Sequence, residues 1–270
     1  MSKKGIKHYK TNQDFFKVWS SEMAYVLGWI ASDGCIQYVP KVRYGIRFEL
    51  GEKEPLEMIK EIMDLDIPIH KRKDDDQYSL YIRGKQITKD VINLGIMPNK
   101  TFKLNPLDIP IEFFRDFVRG YFDGDGCAMI TEFSKRRKSL YTKITSGSKP
   151  FLQWIGNTLK EEIGIIPKIY TEHDKYHTLK YASKESMALY YYLYKDAKYF
   201  LSRKKEIFEQ AKNLPSCSGI IKCKRCNADI VKTSNRQKWC SDCKRIVVRE
   251  REKKRSQRRK EERQNKTLVS

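Results

Sequence analysis

The sequence predicts an α+β protein built from two related αββαββα units, each with an antiparallel sheet, followed by a small cysteine-held module and a basic tail. Three observations predict this. The first 210 residues contain an internal repeat, each repeat alternates helical and strand-like apolar periods, and two CxxC pairs lie near the end in a segment almost without apolar residues.

The repeat comes first. Gly28-Trp-Ile-Ala-Ser-Asp33-Gly34-Cys35 returns as Gly120-Tyr-Phe-Asp-Gly-Asp125-Gly126-Cys127, 92 positions later. Ile67-Pro68 returns as Ile166-Pro167, and Leu80 with Lys85 as Leu179 with Lys184, now at an offset of 99. One longer connection in the second copy accounts for the difference, and the basic stretch Lys135-Arg136-Arg137-Lys138 is the candidate. Two related units in one chain imply a pseudo-twofold arrangement.

Each unit reads alike. A helix (Glu22–Ala31; Ile111–Phe122) ends at an Asp-Gly, and two alternating segments follow: Cys35–Tyr38 and Tyr44–Leu50, then Cys127–Phe133 and Tyr141–Ser146. A second helix (Pro55–Met63; Pro150–Ile163) precedes two short strands (Ile69–Arg72 and Tyr78–Arg83; Lys168–Glu172 and His177–Ala182), and a third helix closes the unit. The predicted boundaries are 1–105 and 106–213 for the units, 214–248 for the cysteine module and 249–270 for the tail.

The two Asp-Gly helices carry small residues on one face: Ala24, Gly28 and Ser32 at i, i+4 and i+8, and Gly120 and Gly124 at the matching positions. A glycine inside a helix costs about 1 kcal/mol relative to alanine. Cognate glycines, Gly28 and Gly120, therefore predict a helix pair packed backbone to backbone. Such a pair would bring Asp33 and Asp125 together at two helix C-termini, where the helix dipole is already negative. Divalent cations relieve that arrangement, magnesium being the usual hard-ligand choice. Carboxylates holding metal ions beside a scissile phosphate are what metal-assisted phosphodiester hydrolysis requires. A single Asp-Gly is an ordinary helix stop; its recurrence with the preceding glycine and apolar helix marks this pair as functional. The run Asp123-Gly-Asp125-Gly126 lacks the glycine and terminal glutamate of an EF-hand calcium loop.

Charge points to the partner. Lysine plus arginine number 55 against 34 acidic residues, a net charge of +21 in 270 residues, and +12 of it lies between Lys222 and Ser270. A polyanion, most simply nucleic acid, is the expected partner. No apolar run reaches the roughly 18 residues of a membrane span, and the first twenty residues lack a secretory signal's apolar core. An odd count of seven cysteines suits a reducing compartment. The expected location is intracellular, in the cytoplasm of a bacterium or phage-infected cell, or else in an organelle.

Cys223-x2-Cys226 and Cys240-x2-Cys243, thirteen residues apart, have the spacing of a tetrahedral zinc site. Two redox-active thiol pairs or a reducible disulfide framework are the alternative; a short segment with so little apolar content favours the zinc staple. Residues 246–265 combine strong helix formers with interleaved charges, which reads either as a solvated helix or as a phosphate-contacting tail.

The windows Val26–Gly34 (VLGWIASDG) and Val118–Gly126 (VRGYFDGDG) resemble the motif of the LAGLIDADG homing endonucleases, in the single-chain, two-motif layout, over about residues 15–212. The first window departs at Ala31, where the family often has an acid, and at Ser32. The resemblance implies a monomeric, site-specific endonuclease of an intron or intein-type mobile element, with a saddle of strands over double-stranded DNA. It also implies Mg2+ ions shared by Asp33 and Asp125 with Ser32 and Gly124 beside them, and hydrolysis of both strands across the minor groove to leave short 3′ overhangs. A lysine from each half near the active site is implied too, matched by position before the closing helix to Lys100 and Lys204. A non-catalytic binder on the same scaffold, such as an intron-splicing maturase that binds intron RNA or a DNA-binding regulator, is the other reading, as is a zinc-dependent adaptor acting through the tail. Strand residues placed to reach a groove are Gln37, Arg43, Arg47, Lys71 and Arg83 in one half and Lys143, Lys168 and Lys180 in the other.

Overall fold

A computed structural model of the chain describes residues 9–72, 75–134, 137–172, 175–217, 219–231 and 237–268. Helix α1 (Ser21–Ser32) is capped by the Ser20 hydroxyl, which accepts from the Met23 amide at 3.0 Å. It runs into the hairpin β1 (Cys35–Val39) and β2 (Arg43–Leu50), then α2 (Glu54–Ile62), β3 (His70–Lys71), β4 (Tyr78–Arg83) and α3 (Lys85–Asn93). The second unit repeats this order: α4 (Ile111–Asp125), β5 (Gly126–Ser134), β6 (Arg137–Ser146), α5 (Lys149–Ile163), β7 (Lys168–Glu172), β8 (Tyr176–Ala182) and α6 (Ser183–Tyr194). The sheets are antiparallel, with orders β1-β2-β4-β3 and β5-β6-β8-β7. The repeat in sequence is thus a repeat in topology.

The two units share one core, centred on the packing of α1 against α4. Every residue of α1 from Met23 to Ala31 is buried, as is α4 from Phe117 to Asp123. The contact is made at backbone distance. A Cβ on Gly28 would overlap the Phe117 carbonyl and lie 2.6 Å from the Tyr121 nitrogen; one on Gly120 would overlap the Tyr25 carbonyl oxygen, 2.9 Å from its carbon. Each sheet covers its helices with one face: Ile36, Ile46, Phe48, Leu80 and Ile82 in the first half, and Ala128, Leu140, Ile144, Leu179 and Tyr181 in the second, all turn inward.

The structure corrects the sequence reading in four places. The second unit gains a further helix, α7 (Ser202–Ala211), where the first has only a 3-10 turn, Lys100–Phe102. Pro106 and Pro110 bar a helix after that turn, whereas Phe208 and Ala211 give α7 an apolar stripe buried beside Phe122, Tyr190 and Tyr194. Lys100 and Lys204 consequently follow the third helix of their units rather than precede it. The β5–β6 hairpin also outreaches its expected length, with Lys138 in register with Glu132 and Nζ 3.2 Å from its carboxylate; Lys135 and Arg136 of the supposed basic connection lie outside the described residues. Finally, the boundary placed at 248 falls inside a continuous helix, α8 (Ser241–Leu268), which starts within the cysteine module. That module pairs β9 (Ile220–Lys222) with β10 (Asp229–Val231) and seats on the second unit through Arg245 to Glu162, Lys244 Nζ to the Glu161 carbonyl (2.6 Å) and Arg115 to Asp242 (3.7 Å). Among the described residues, no helix is long and apolar enough to cross a membrane.

Candidate active site, sheet faces and cysteine cluster

Asp33 caps the C-terminus of α1, its amide donating to the Trp29 carbonyl, and Asp125 is the last residue of α4. The glycine interlock brings the two helix ends together, so the aspartates come from opposite units to one place. At that place Gly124 faces Asp33 and Ser32: a Cβ on Gly124 would overlap both Asp33 Oδ2 and Ser32 Oγ. Asp33 Oδ2 is buried and has no hydrogen-bond partner among the described residues. An acceptor buried without a donor is costly, and a cation is the ligand that would satisfy it.

Electrostatics match the geometry. Burial, then the charge of Asp33, push the Asp125 carboxyl up to about 6, although its outer edge is exposed. Burial also raises Asp33, opposed by the nearby Ser32 hydroxyl and by the charges of Lys100 and Lys204. Tyr121 lies within hydrogen-bonding reach of Asp125 and donates its hydroxyl to the Thr145 carbonyl at 2.8 Å.

The two lysines sit in equivalent positions. Lys100 Nζ donates to the carbonyls of Ser32 (3.0 Å) and Gly34 (2.7 Å). Lys204 Nζ donates to Gly124 (3.1 Å) and Gly126 (2.6 Å), the same pair shifted by the repeat, and also approaches Phe122 and Asp123, each at 2.6 Å. These are the orphan carbonyls of a helix C-terminus, where a cation is favoured. Lys204 meets more carbonyls than an ammonium has N–H groups, and it is buried; Lys100 is half-buried and retains a free donor among the described residues. Burial lowers both, Lys204 to about 8, against the pull of Asp123 on Lys204 and of Asp125 and Asp33 on Lys100. Both lysines thus set the main chain that carries the aspartates.

Asp123 is a residue the sequence reading did not single out. It is fully buried and accepts from Tyr25 Oη (2.7 Å), Tyr194 Oη (2.9 Å) and the Leu201 amide (3.1 Å), tying α1, α4, α6 and the start of α7 together. Its counterpart at the repeat offset is Ala31. That departure in the first motif was its only sequence signal.

Strand register decides which basic residues share a face. Opposite Cys35 stands Arg47, and opposite Gln37 stands Gly45, which pairs in turn with Arg83. Gln37, Arg43, Arg47 and Arg83, with Ser79 and Tyr81, line one concavity of about 500 Å3 on the solvent face of the first sheet. Arg47 is held at 2.7 Å by Glu49, and Arg83 lies 5.2 Å from the centre of the Tyr81 ring. Tyr81 and Ser79 were legible from the alternation in Tyr78–Arg83 but went unnamed. Lys71 is set apart: it pairs with Tyr78, in the register of the core-facing Leu80 and Ile82, and its Nζ is 3.1 Å from Asp76. In the second sheet Cys127, Lys143, Lys180 and Lys168 form one row across all four strands, with Lys180 4.4 Å above the Tyr141 ring.

At the other end of the chain, the Sγ atoms of Cys223, Cys226, Cys240 and Cys243 all lie within 4.8 Å of one another. Cys226 and Cys240 are 3.7 Å apart, and the Cys240 amide donates to Cys223 Sγ at 3.3 Å. Four sulfurs at about 2.3 Å from a tetrahedral zinc would stand about 3.8 Å apart, so the cluster fits that ion. All seven cysteines are free in the structure.

The profile of the LAGLIDADG-like domain matches residues 112–194, from the first turn of α4 to the end of α6. The second unit is thus similar to a LAGLIDADG-like domain. The whole two-unit arrangement resembles the homing endonuclease I-WcaI bound to its DNA recognition sequence, with 16% identity, 73% of this chain and 91% of that one covered, and a TM-score of 0.52. It also resembles the LAGLIDADG meganuclease I-AabMI bound to uncleaved DNA, with 12% identity, coverage of 72% and 89%, and a TM-score of 0.50. At these identities the likeness is one of fold: the chain has the LAGLIDADG homing endonuclease fold, in a single chain with two halves. No curated protein matches it.

Proposed function

We propose that the protein is a site-specific endonuclease that cuts both strands of duplex DNA in a metal-dependent hydrolysis, as the homing enzyme of a mobile element. The observation that carries this reading is the meeting of Asp33 and Asp125 from two pseudo-symmetric halves, one of them with a buried oxygen that lacks a donor among the described residues. A binding scaffold has no use for two carboxylates, one of which raises the pKa of the other. Two relatives of the same fold are described as bound to DNA, one to its recognition sequence and one to uncleaved DNA, and the basic sheet faces here suit the same partner.

In this reading Asp33 and Asp125 hold divalent cations, with magnesium the expected ion, and Ser32 and the Gly124 backbone complete the walls. Such ions, when bound, activate water and stabilise charge on the scissile phosphates. Lys100 and Lys204 keep the helix ends fixed through their carbonyl contacts, so the carboxylates need no rearrangement on binding. Gln37, Arg43, Arg47 and Arg83 on one sheet and Lys143, Lys168 and Lys180 on the other hold the duplex, the arginines and amide reading base edges and the lysines meeting phosphates. A zinc ion held by Cys223, Cys226, Cys240 and Cys243 is structural.

The test starts from a target selected out of a randomised plasmid library with magnesium present. Asp33→Asn and Asp125→Asn should each abolish double-strand cleavage while leaving target affinity within about threefold. Cleavage retained by both variants would overturn the reading. Binding of intron RNA with no cleavage of any library member would instead favour a maturase.

A further inference from the structure

The cysteine module opens into α8, a helix of 28 residues and hence about 42 Å long. Its first turns are fixed to the second unit by Lys244 and Arg245, beside the end of α5 that leads into the outer strand β7. Arg225 then takes Glu250 at 3.0 Å, and Arg251 lies 5.3 Å from the centre of the Trp239 ring. Beyond this root the helix makes no ion pair among the described residues. From Arg249 to Arg259 it carries seven cations and two acids, and all eleven side chains are exposed.

Acids stand at Glu250 and Glu252 and again at Glu261 and Glu262, but from Lys253 to Lys260 the chain carries six cations and no acid. Arg251, Lys254, Arg255 and Arg258 fall at i, i+3, i+4 and i+7, so they form one stripe. Like charges three and four positions apart repel and destabilise an isolated helix. The nearer acid, Glu250, is already neutralised by Arg225. A cationic stripe on a helix anchored at one end is relieved by a regular polyanion, and duplex DNA offers phosphates at matching density.

We propose that α8 is an arm that contacts the phosphates of duplex DNA outside the stretch covered by the two sheets. The inference rests on the reading of duplex DNA as the substrate, but its test does not require cleavage. The variant is the full chain with Lys254→Ala, Arg255→Ala and Arg258→Ala together, which leaves Arg251, the root and the cysteine cluster untouched. Helicity is checked by circular dichroism. The probe is a random-sequence duplex of about 60 base pairs, with dissociation constants measured across salt concentrations; each lost phosphate contact removes about 0.9 from the slope of log affinity against log salt. We expect the slope to fall by two to three, with affinity at physiological salt down at least tenfold. On a selected target trimmed to the sheet-covered stretch, affinity and cleavage should be unchanged. An unaltered slope on the long duplex overturns the proposal, as does a loss confined to a hairpin RNA probe. If cleavage is never found but the slope still falls, the arm stands and the nuclease reading falls.

Discussion

Gly124 of the second unit stands against Asp33 of the first with no side chain between them, and a Cβ there would press directly on the Asp33 carboxylate and the Ser32 hydroxyl. Gly124→Ala is therefore a local test of the site. Alanine improves helix propensity by about 1 kcal/mol. That offsets the cost of its methyl pressing on Asp33 Oδ2 and Ser32 Oγ, which can rotate aside, and on Ser32 Cβ, 2.6 Å away, which shifts only with its helix. Stability should change by less than about 1 kcal/mol, whereas cleavage should fall at least 100-fold because the carboxylate is displaced. Gly120→Ala makes the contrast: its methyl meets the Tyr25 main chain, which cannot rotate away, so urea denaturation should show a loss of about 2–4 kcal/mol. Equal effects on folding from both substitutions would contradict this assignment.

The two carboxylates also set a pH dependence. Asp125 is raised to about 6 in the folded chain, above its ordinary 3.8, so the folded state holds that proton more tightly than the unfolded state. The associated stability is complete below about pH 4 and is lost as pH rises through about 6. Asp125→Asn removes the buried charge, so its melting temperature should exceed the parent's by a few degrees at pH 7.5. Because Asp125 is exposed on one side, the gain is about 1 kcal/mol, and it should vanish at pH 4. A variant less stable than the parent at pH 7.5 would show that the charge is already compensated.

Much of this was legible because it repeats. Gly28 with Gly120, and Asp33 with Asp125, recur at one offset, and a feature stated twice can be read without an alignment. Periodicity placed most strands within a residue or two, and hence the faces of Gln37, Arg47, Arg83, Lys143 and Lys180. It failed at Lys71, since β3 has only two residues and a shift of one position reverses the face. Contacts between distant segments left no such trace. The carbonyls held by Lys204 lie 78 to 82 positions away, and Asp123 is satisfied by Tyr25, Tyr194 and Leu201 from three other elements. Helix α7 went unrecognised because Ser202–Ala211 is charged on most sides and is fixed by burial of Lys204, Phe208 and Ala211.

The lysines differ in what their removal leaves behind. Lys204→Met keeps the length of the side chain but withdraws the ammonium from four carbonyls, of which that of Phe122 keeps the Gly126 amide; three of the contacts are fully buried, and the loss should cost about 2–4 kcal/mol in urea denaturation. Lys100→Met strands two at a half-buried position and should cost about 1 kcal/mol. Both should reduce cleavage. Lys204→Arg should not rescue, as the larger guanidinium has no room at a site 4% exposed. A cleavage defect for Lys204→Met with unchanged stability would mean that its ammonium acts on the substrate instead.

The cysteine cluster gives the last prediction. Among the described residues, only Ile230, with Ile221 and Trp239 beside it, supplies apolar packing around the four thiols, too little to hold the module by burial. Elemental analysis of protein purified without chelator should find one zinc per chain. Cys243→Ala removes a ligand from the first turn of α8 and should release the metal, along with the order of β9, β10 and that turn. Because the two-unit core is built without these residues, its main unfolding transition should move by less than about 1 kcal/mol. Amide exchange should rise over residues 220–231 and 240–250 and remain protected in α1 and α4. Zinc-free protein with those segments still protected would show that the cluster is held by its packing on the second unit, through Arg245 and Glu162, rather than by an ion.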